Sequence, residues 1–551
     1  MKHPHKYIFV VGGVMSGIGK GVVTASLGNL MEARGFRVNL VKADPYLNVD
    51  AGTMNPVEHG EVFVMEDGLE TDQDMGTYER FLGVSGKPRD YMTSGMVYQS
   101  VINRERSLGY GGKCVEAVPH IVDEIISRIT DAETSKRSNV TIVEIGGTIG
   151  DYQNIMFIEA ARTMKLTRAD DVAIILVGYL PMPSHMGEMK TRPTRIAAQS
   201  LNSYGVNADM IIARSAEPMD AKRREKLAIS CTLPPSRVVS LPDVKNVYGV
   251  PLILHENGVD KELATILKMK LPTLSFAPWK RFVAKANAKV PQIKIAVVGK
   301  YFDTGAYTLA DSYVSVIEAV RFSAYAAGVH ASLMWVNAKD FEKNPSKIRT
   351  LGTFDGIIVP GGFGASGVEG KIQAIRYARE HGIPYLGLCY GMQLMVIEYA
   401  RNIAKLKAAN TTEIDSKTKY PVVDILPEQR ARISRGEYGA SMRLGSYKAR
   451  LKKGTHAFAA YRQESIVERH RHRYEVNPDY VQSLEEAGMV FSGMSPDGVL
   501  MEIAELPKTA HPFFMGTQFH PEFLARPLSP HPLFTAFIRA AGVTKRSQKK
   551  R

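Results

Sequence analysis

Lys6-Tyr7-Ile8-Phe9-Val10-Val11, followed at once by Gly12-Gly13-Val14-Met15-Ser16-Gly17-Ile18-Gly19-Lys20-Gly21, decides the reading of the N-terminal half. The apolar run has the length of a buried strand, and the residues from about Val22 to Arg34 carry helical periodicity. Strand, glycine-rich turn and helix in that order form a phosphate-binding loop. Glycines let backbone amides close around a polyphosphate, the helix N-terminus adds positive potential, and Lys20 adds a full charge near the terminal phosphates. The common Walker spelling is not met, because five residues separate Gly13 from Gly19 and Gly21 stands where a Ser or Thr usually meets Mg²⁺. The metal is therefore expected on carboxylates elsewhere. The candidates are Asp72 in Glu70-Thr71-Asp72 and Glu144, which ends the apolar run Val140 to Val143 before Gly146-Gly147. Hard carboxylate oxygens suit Mg²⁺, which keeps waters and binds jointly to phosphates. Taken alone, either carboxylate reads equally well as a solvated turn residue.

Outward from this loop, strand-like runs at Val38 to Lys42, Val140 to Glu144, Val172 to Val177, Met210 to Ala213 and Val238 to Leu241 alternate with helical stretches. That alternation predicts a doubly wound parallel sheet, and residues 1–271 are read as one α/β domain. Residues 272–292, with Pro272, Pro278 and Pro291, read as a linker carrying one short helix. A second alternation follows, with strands at Ile293 to Val298, Ala331 to Val336, Gly356 to Val359 and Ile383 to Leu388 and helices such as Tyr313 to Ala327. It predicts a second doubly wound domain over 293–543. The basic tail 544–551, with Lys545-Arg546-Ser547-Gln548-Lys549-Lys550-Arg551, is expected to have no structure.

The second domain carries its own chemistry. Gly387-Leu388-Cys389-Tyr390-Gly391 and, downstream, Gln518-Phe519-His520-Pro521-Glu522 supply a nucleophile, a base and an orienter. Cys389 falls on a sharp strand-to-helix turn, a nucleophile elbow, whose strain the flanking glycines are expected to permit. At the first turn of a helix unpaired amides favour thiolate over thiol, and an imidazolium nearby does the same. Pro360-Gly361-Gly362-Phe363-Gly364 follows a strand and can turn amides toward a tetrahedral oxyanion. A lone cysteine is more often a small buried hydrophobe, and a lone histidine a hydrogen-bonded structural residue. The combination instead matches class I glutamine amidotransferases.

Bulk properties agree. A chain of 551 residues needs more than one core, since domains usually hold about 100–200 residues. With 44% hydrophobic residues and no uninterrupted apolar run near membrane-spanning length, two soluble domains are expected, with no membrane association. Met1 to His5 has no signal-peptide hydrophobic region, and Cys114, Cys231 and Cys389 are too widely spaced for a metal site. A reducing, cytoplasmic setting is expected. The net charge of +14 comes without aromatic-basic or zinc modules for nucleic acid, so no nucleic-acid partner is expected. Polyanionic small substrates and the basic tail account for it.

In order and spelling these pieces resemble the CTP synthase family over nearly the whole chain. The N-terminal segments that carry the resemblance are the phosphate loop, Lys42-Ala43-Asp44-Pro45-Tyr46, Gly52-Thr53-Met54-Asn55-Pro56, His59-Gly60-Glu61-Val62-Phe63-Val64, Glu70-Thr71-Asp72, Val143 to Asp151 and Lys190-Thr191-Arg192-Pro193-Thr194. The C-terminal ones are the glycine segment at 360–364, the Cys389 elbow with Gln393, Val467 to Val476 and the His520 segment.

The resemblance implies a ligase that forms a C–N bond. Glutamine is hydrolysed by the triad Cys389, His520 and Glu522; ammonia moves inward; the ATP γ-phosphate is transferred to O4 of UTP; ammonia displaces that phosphate to give CTP. Phosphorylation turns a poor leaving group into a good one, and the charge of two triphosphates calls for Mg²⁺ and lysines. By matching segment, Ser16, Gly17, Ile18, Gly19, Lys20, Gly21, Asp72 and Asp243 would bind ATP, and Lys20 and Lys42 would serve phosphoryl transfer. Asp72 and Glu144 would hold the metal. Ser16, Asp151, Tyr152, Gln153, Lys190, Thr191, Arg192, Pro193, Thr194, Arg195 and Lys226 would bind UTP or the feedback inhibitor CTP. Gly362, Tyr390, Gly391, Met392, Gln393, Glu413 and Arg473 would bind glutamine, and His59 stands at the ammonia passage or is simply a structural histidine. GTP activation, a homotetramer and filaments are further implications.

Several positions depart from the family spelling. Arg195 replaces a Gln, Tyr152 and Gln153 stand where the family has Ile-Glu, Glu116 replaces a Gln, and Ser366 replaces an arginine of the lid tied to GTP. These weaken what is implied about regulation. The nearest enzyme alternative is a cobyric-acid-type or cobyrinic-diamide-type synthase. An assembly or nucleotide-sensing protein without activity is a third reading.

Overall fold

The computed structural model describes residues 5–54, 59–136, 138–183, 187–299, 310–425 and 442–548. Asn55, Pro56 and the tail end 549–551 lie outside the described residues. The chain divides into two units, residues 1–51 with 74–287, and residues 52–73 with 288–551.

The first unit is built on a seven-stranded parallel sheet. Its order is Tyr91–Thr93, Val38–Asp44, Val140–Ile145, Lys6–Gly12, Val172–Tyr179, Met210–Ser215, Val238–Pro242. The expected strands are present, and the long ones are buried along almost their full length, as continuous apolar runs covered on both faces must be. The short edge strand Tyr91–Thr93 had no sequence signal, since three residues show no period. The chain leaves Lys6–Gly12 toward one side of the sheet and passes Val140–Ile145 to Val172–Tyr179 on the other. This is the switch point at which ligands bind doubly wound sheets. In the register, Glu144 lies opposite Val10 on one side and Lys42 on the other, so the phosphate loop, Lys42 and Glu144 meet at the carboxyl ends of adjacent strands. The linker helix Ala277–Ala286 belongs to this unit, where Trp279 donates its indole N–H to the Tyr248 carbonyl at 2.8 Å.

The second unit has a nine-stranded mixed sheet. Its parallel half runs His330–Asn337, Gln292–Gly299, Gly356–Val359, Tyr385–Leu388, Phe514–Thr517. The antiparallel half, Met501–Glu505, Val490–Met494, Arg443–Leu451 and Ser465–His472, was not anticipated, because charged and small polar residues leave these strands without a continuous apolar run.

Residues 52–73, read from sequence as part of the first domain, pack with the second unit. Their hairpin of Phe63–Val64 and Glu70–Thr71 is stitched onto strand Ser465–His472. Arg469 donates to the Val64 carbonyl at 3.0 Å, Arg471 Nε pairs with Glu70 Oε1 at 2.7 Å, and the Ser446 N–H donates to the Glu66 carbonyl at 2.8 Å. Two strands of two residues each cannot hold together alone and take stability from that edge. The C-terminal helix Pro532–Gln548 runs through residues expected to be unstructured, since no proline interrupts it after its first residue. Among the described residues, no helix is long and apolar enough to cross a membrane.

Candidate active site

In the second unit Cys389 stands between strand Tyr385–Leu388 and helix Tyr390–Asn402 with φ 50° and ψ −100°. A non-glycine residue there carries strain of about 1–3 kcal/mol. Its N–H donates to the Thr517 carbonyl at 2.6 Å, which helps hold the turn. The flanking glycines act differently from the sequence expectation. Neither has positive φ; a Cβ on Gly387 would lie 2.6 Å from the Tyr385 hydroxyl, and one on Gly391 would strike the Val359 carbonyl. They allow the helix to sit close on the sheet, and Cys389 itself takes the unusual conformation.

His520 Nδ1 is 2.8 Å from Glu522 Oε1, and its ring stacks on Phe523. A Cβ at Gly361 would come within 2.8 Å of His520 Cε1, so the glycine loop and the imidazole are in close contact. Burial alone would lower the His520 pKa, but the charges of Glu522 and Cys389 outweigh it and push it up to about 10. The imidazole therefore holds its proton at neutral pH beside the sulfur.

A cavity of ≈ 280 Å³ opens on this pair and brings Cys389, His520, Glu522, Gly362, Gln393, Glu413 and Arg473 together. Glu413 accepts from the Gly364 N–H at 2.7 Å, which ties the glycine loop to the opposite wall. Tyr390, Gly391 and Met392 are buried behind the wall and do not line it; the Tyr390 hydroxyl donates to the Gly364 carbonyl at 3.0 Å. His59 is exposed and does not line it either. Glu61, Val62, Ser312 and Tyr313 also line it and were not foreseen. Glu61 is held by Ser315, whose hydroxyl donates to it at 2.5 Å.

In the first unit, Gly17 and Gly19 take positive φ and lead into helix Lys20–Ala33, whose first turn has no acidic residue. Lys20 Nζ donates to the Gly147 carbonyl at 2.7 Å. Burial lowers its pKa, opposed by Glu144. Lys42 Nζ lies 3.0 Å from Glu144 Oε1 and 3.5 Å from Asp44 Oδ1, and also pairs with Asp74. The Tyr78 hydroxyl donates to the other oxygen of Glu144. Burial raises the Glu144 pKa, opposed by Lys42.

Asp44 and Asp74 are thus the aspartates found in this cluster, and the sequence reading gave neither a role. Asp72, two residues before Asp74, lies in the segment that packs with the second unit. Two aspartates in Glu70-Thr71-Asp72-Gln73-Asp74 look alike in sequence; only the start of helix Gln73–Leu82 separates them. Arg214 was also missed. Its Nη2 pairs with Asp243 Oδ1 at 2.6 Å, and its Nη1 would lie 2.6 Å from a Cβ on Gly19, so it covers the phosphate loop.

The remaining nucleotide candidates are spread along the same unit. Thr194 is fully buried and donates to the Tyr179 carbonyl at 2.8 Å. Lys190 pairs with Glu188 at 2.6 Å, Thr191 is buried, and Arg192 and Pro193 open helix Arg192–Ser203, in which Arg195 is half-buried. Asp151 accepts from the Thr148 N–H at 2.8 Å, while Tyr152, Gln153 and Lys226 are exposed.

Comparison with known proteins places both units. Residues 6–269 match the family model CTP synthase N-terminus, and residues 308–540 match Glutamine amidotransferase class-I. The chain is 48% identical over 538 residues to a CTP synthase of Pyrococcus furiosus, covering 97% of this chain and 98% of that one. It is 44% identical over 537 residues to a CTP synthase of Bacillus subtilis, with coverage of 97% and 98%. The chain belongs to the CTP synthase family. Full-length membership displaces the corrinoid-amidating alternative. It gives the two sites, a phosphate loop with its lysines and a cysteine elbow with its His–Glu pair, a common setting in one enzyme family.

Proposed function

We propose that this chain is a ligase that converts UTP to CTP with ATP and with ammonia taken from glutamine. The observation that carries the reading is the cavity in which Cys389, His520 and Glu522 meet, on a chain whose other unit presents a phosphate loop. The Cys389 sulfur attacks the glutamine amide carbon and a C–S bond forms. The amides beside Gly362 face the resulting oxyanion. His520 gives its proton to the departing nitrogen, the C–N bond breaks, and ammonia leaves. Glu522 keeps the imidazole oriented and charged. Gln393, Glu413 and Arg473 are suited to the amino and carboxylate ends of glutamine.

In the first unit, Lys20 and the loop amides hold ATP phosphates, and Lys42 moves charge toward the transferring group. Lys190, Thr191, Arg192, Arg195 and Lys226 are proposed for the UTP triphosphate. Asp74 and Glu144 offer hard oxygens side by side, which fits Mg²⁺ in a site shared with phosphate oxygens and water. Among the described residues, no group of three or more His, Cys, Asp or Glu is placed to hold a metal. When bound, the ion would neutralise developing phosphate charge. Asp72 remains proposed as a ligand on the resemblance alone. GTP activation, CTP inhibition, a tetramer and filaments stand on the same footing.

The test is to incubate the protein with UTP, ATP, Mg²⁺ and either glutamine or an ammonium salt and to follow CTP formation. CTP from both nitrogen sources is the expected result. No CTP from either would overturn the reading.

A further inference from the structure

Gln518 follows strand Phe514–Thr517, two residues before His520, and is fully buried. Its Nε2 lies 3.7 Å from Cys389 Sγ, hydrogen-bonding distance for sulfur. The orientation of this amide is fixed by its neighbours. Gln393 Nε2 donates to the Tyr474 carbonyl at 2.8 Å and to Gln518 Oε1 at 3.3 Å. A backbone carbonyl only accepts, so Gln393 must present its NH₂ group to that side. Gln518 must then present its oxygen to Gln393, which leaves its own NH₂ for the sulfur. Across the sulfur, at 3.7 Å, is the Arg471 carbonyl, an acceptor. The thiol proton has a partner in Arg471, and the thiolate has one in Gln518.

We infer that Gln518 is a catalytic residue of the glutaminase, donating a hydrogen bond to the Cys389 thiolate, and that Gln393 and the Tyr474 carbonyl lock it in the donating orientation. This rests on Cys389 being the nucleophile and adds a residue to that reading. The donor acts twice. Before attack it donates to the sulfur that will become the nucleophile. In the second half of the reaction water attacks the thioester carbon, a C–O bond forms, the C–S bond breaks and the electron pair returns to sulfur, where Gln518 meets it. One water proton goes to His520, and the carboxylic acid of the product releases the other to solvent.

Gln518→Met removes the donor at similar length, and Gln518→Glu keeps the shape while replacing the amide with a carboxyl group. In the full-length protein, alkylation of Cys389 by iodoacetamide is followed against pH by peptide-resolved mass spectrometry, because Cys114 and Cys231 also carry thiols. A hydrogen bond to a charged group predicts that the Cys389 midpoint moves up by about one pH unit in Gln518→Met, with glutaminase kcat down about tenfold and KM nearly unchanged. Gln518→Glu shifts it further, since an anion then faces the thiolate. An unchanged midpoint in both variants, or a loss confined to KM, overturns the proposal. Ammonia-driven CTP formation reports folding, and its loss in both variants would make Gln518 a structural residue and also overturn it. Glutamine hydrolysis surviving in Cys389→Ala would instead overturn the underlying reading.

Discussion

At the phosphate loop Lys42 is enclosed by Asp44, Asp74 and Glu144 and Lys20 is engaged by the Gly147 carbonyl, whereas at the elbow Cys389 opens on a cavity with its histidine already bonded to Glu522. In the first cluster both lysines are already engaged by protein groups. Polyphosphate must draw Lys42 off its carboxylates and Lys20 off the Gly147 carbonyl, and the carboxylate oxygens so released are those a divalent cation can use. The second site needs no such exchange, because its strain and its ion pair are in place before glutamine arrives. Nucleotide binding is therefore expected to rearrange its site, and glutamine binding to fill one.

The strongest break between the two is Cys389→Ala. Glutamine-dependent CTP formation should fall by ~10³-fold or more, while ammonia-driven formation persists and rises with pH as free NH₃ increases. Parallel assays with the two nitrogen sources check it, and loss of both activities would join Cys389 to the wrong half-reaction.

Lys20→Ala should break the other side. CTP formation from either source should drop about 10²–10³-fold with glutaminase activity retained. Asp74→Asn should follow it, and added Mg²⁺ should recover little. Asp72→Asn is the informative partner: an effect equal to Asp74→Asn would return Asp72 to the metal, and a much smaller one would leave Asp74 as the ligand.

A sharper test concerns His520, whose pKa of about 10 lies above the ordinary 6.5. The imidazolium should persist through pH 7 and be lost only as pH rises toward that value. Glu522→Gln removes an attracting charge, so the alkaline limb of glutaminase kcat/KM should move down by about 1–3 pH units. A limb that stays in place would place its origin outside this pair.

The smallest effects are regulatory. Gln153 and Ser366 are both exposed, so restoring the family residues should not disturb folding. Gln153→Glu should tighten CTP inhibition about five- to tenfold, by exchanging a neutral for a charge-assisted hydrogen bond. Ser366→Arg should strengthen GTP activation by a similar or smaller factor. Superimposable inhibition and activation curves would show that neither departure matters.

The parallel strands and the two motifs were legible because buried apolar runs and glycine turns leave local signals. Cys389 was found from its neighbours in sequence, though the reason for those neighbours was close packing and not backbone freedom. Asp74, Arg214 and Gln518 were not found, since each acts through a partner far along the chain: Asp74 through Lys42, Arg214 through the Gly19 turn, Gln518 through Gln393. The antiparallel strands escaped because buried polar residues such as Arg443, Glu468, Ser492, Glu502 and Glu505 interrupt any continuous apolar run.

The hairpin of residues 63–71 also sets a timetable for synthesis. Glu70 and its partner Arg471 are separated by 401 positions. At the usual pace of translation, about 5–20 residues per second, the hairpin leaves the ribosome roughly 20–80 s before the strand that will hold it. Throughout that interval its backbone edge and Phe63 have no partner, and the cavity that Glu61 and Val62 help to wall does not exist. A fragment begun at the linker would lack Glu61 and Val62, and its cavity would miss the part of the wall that residues 52–73 supply, although those residues lie inside the first family segment.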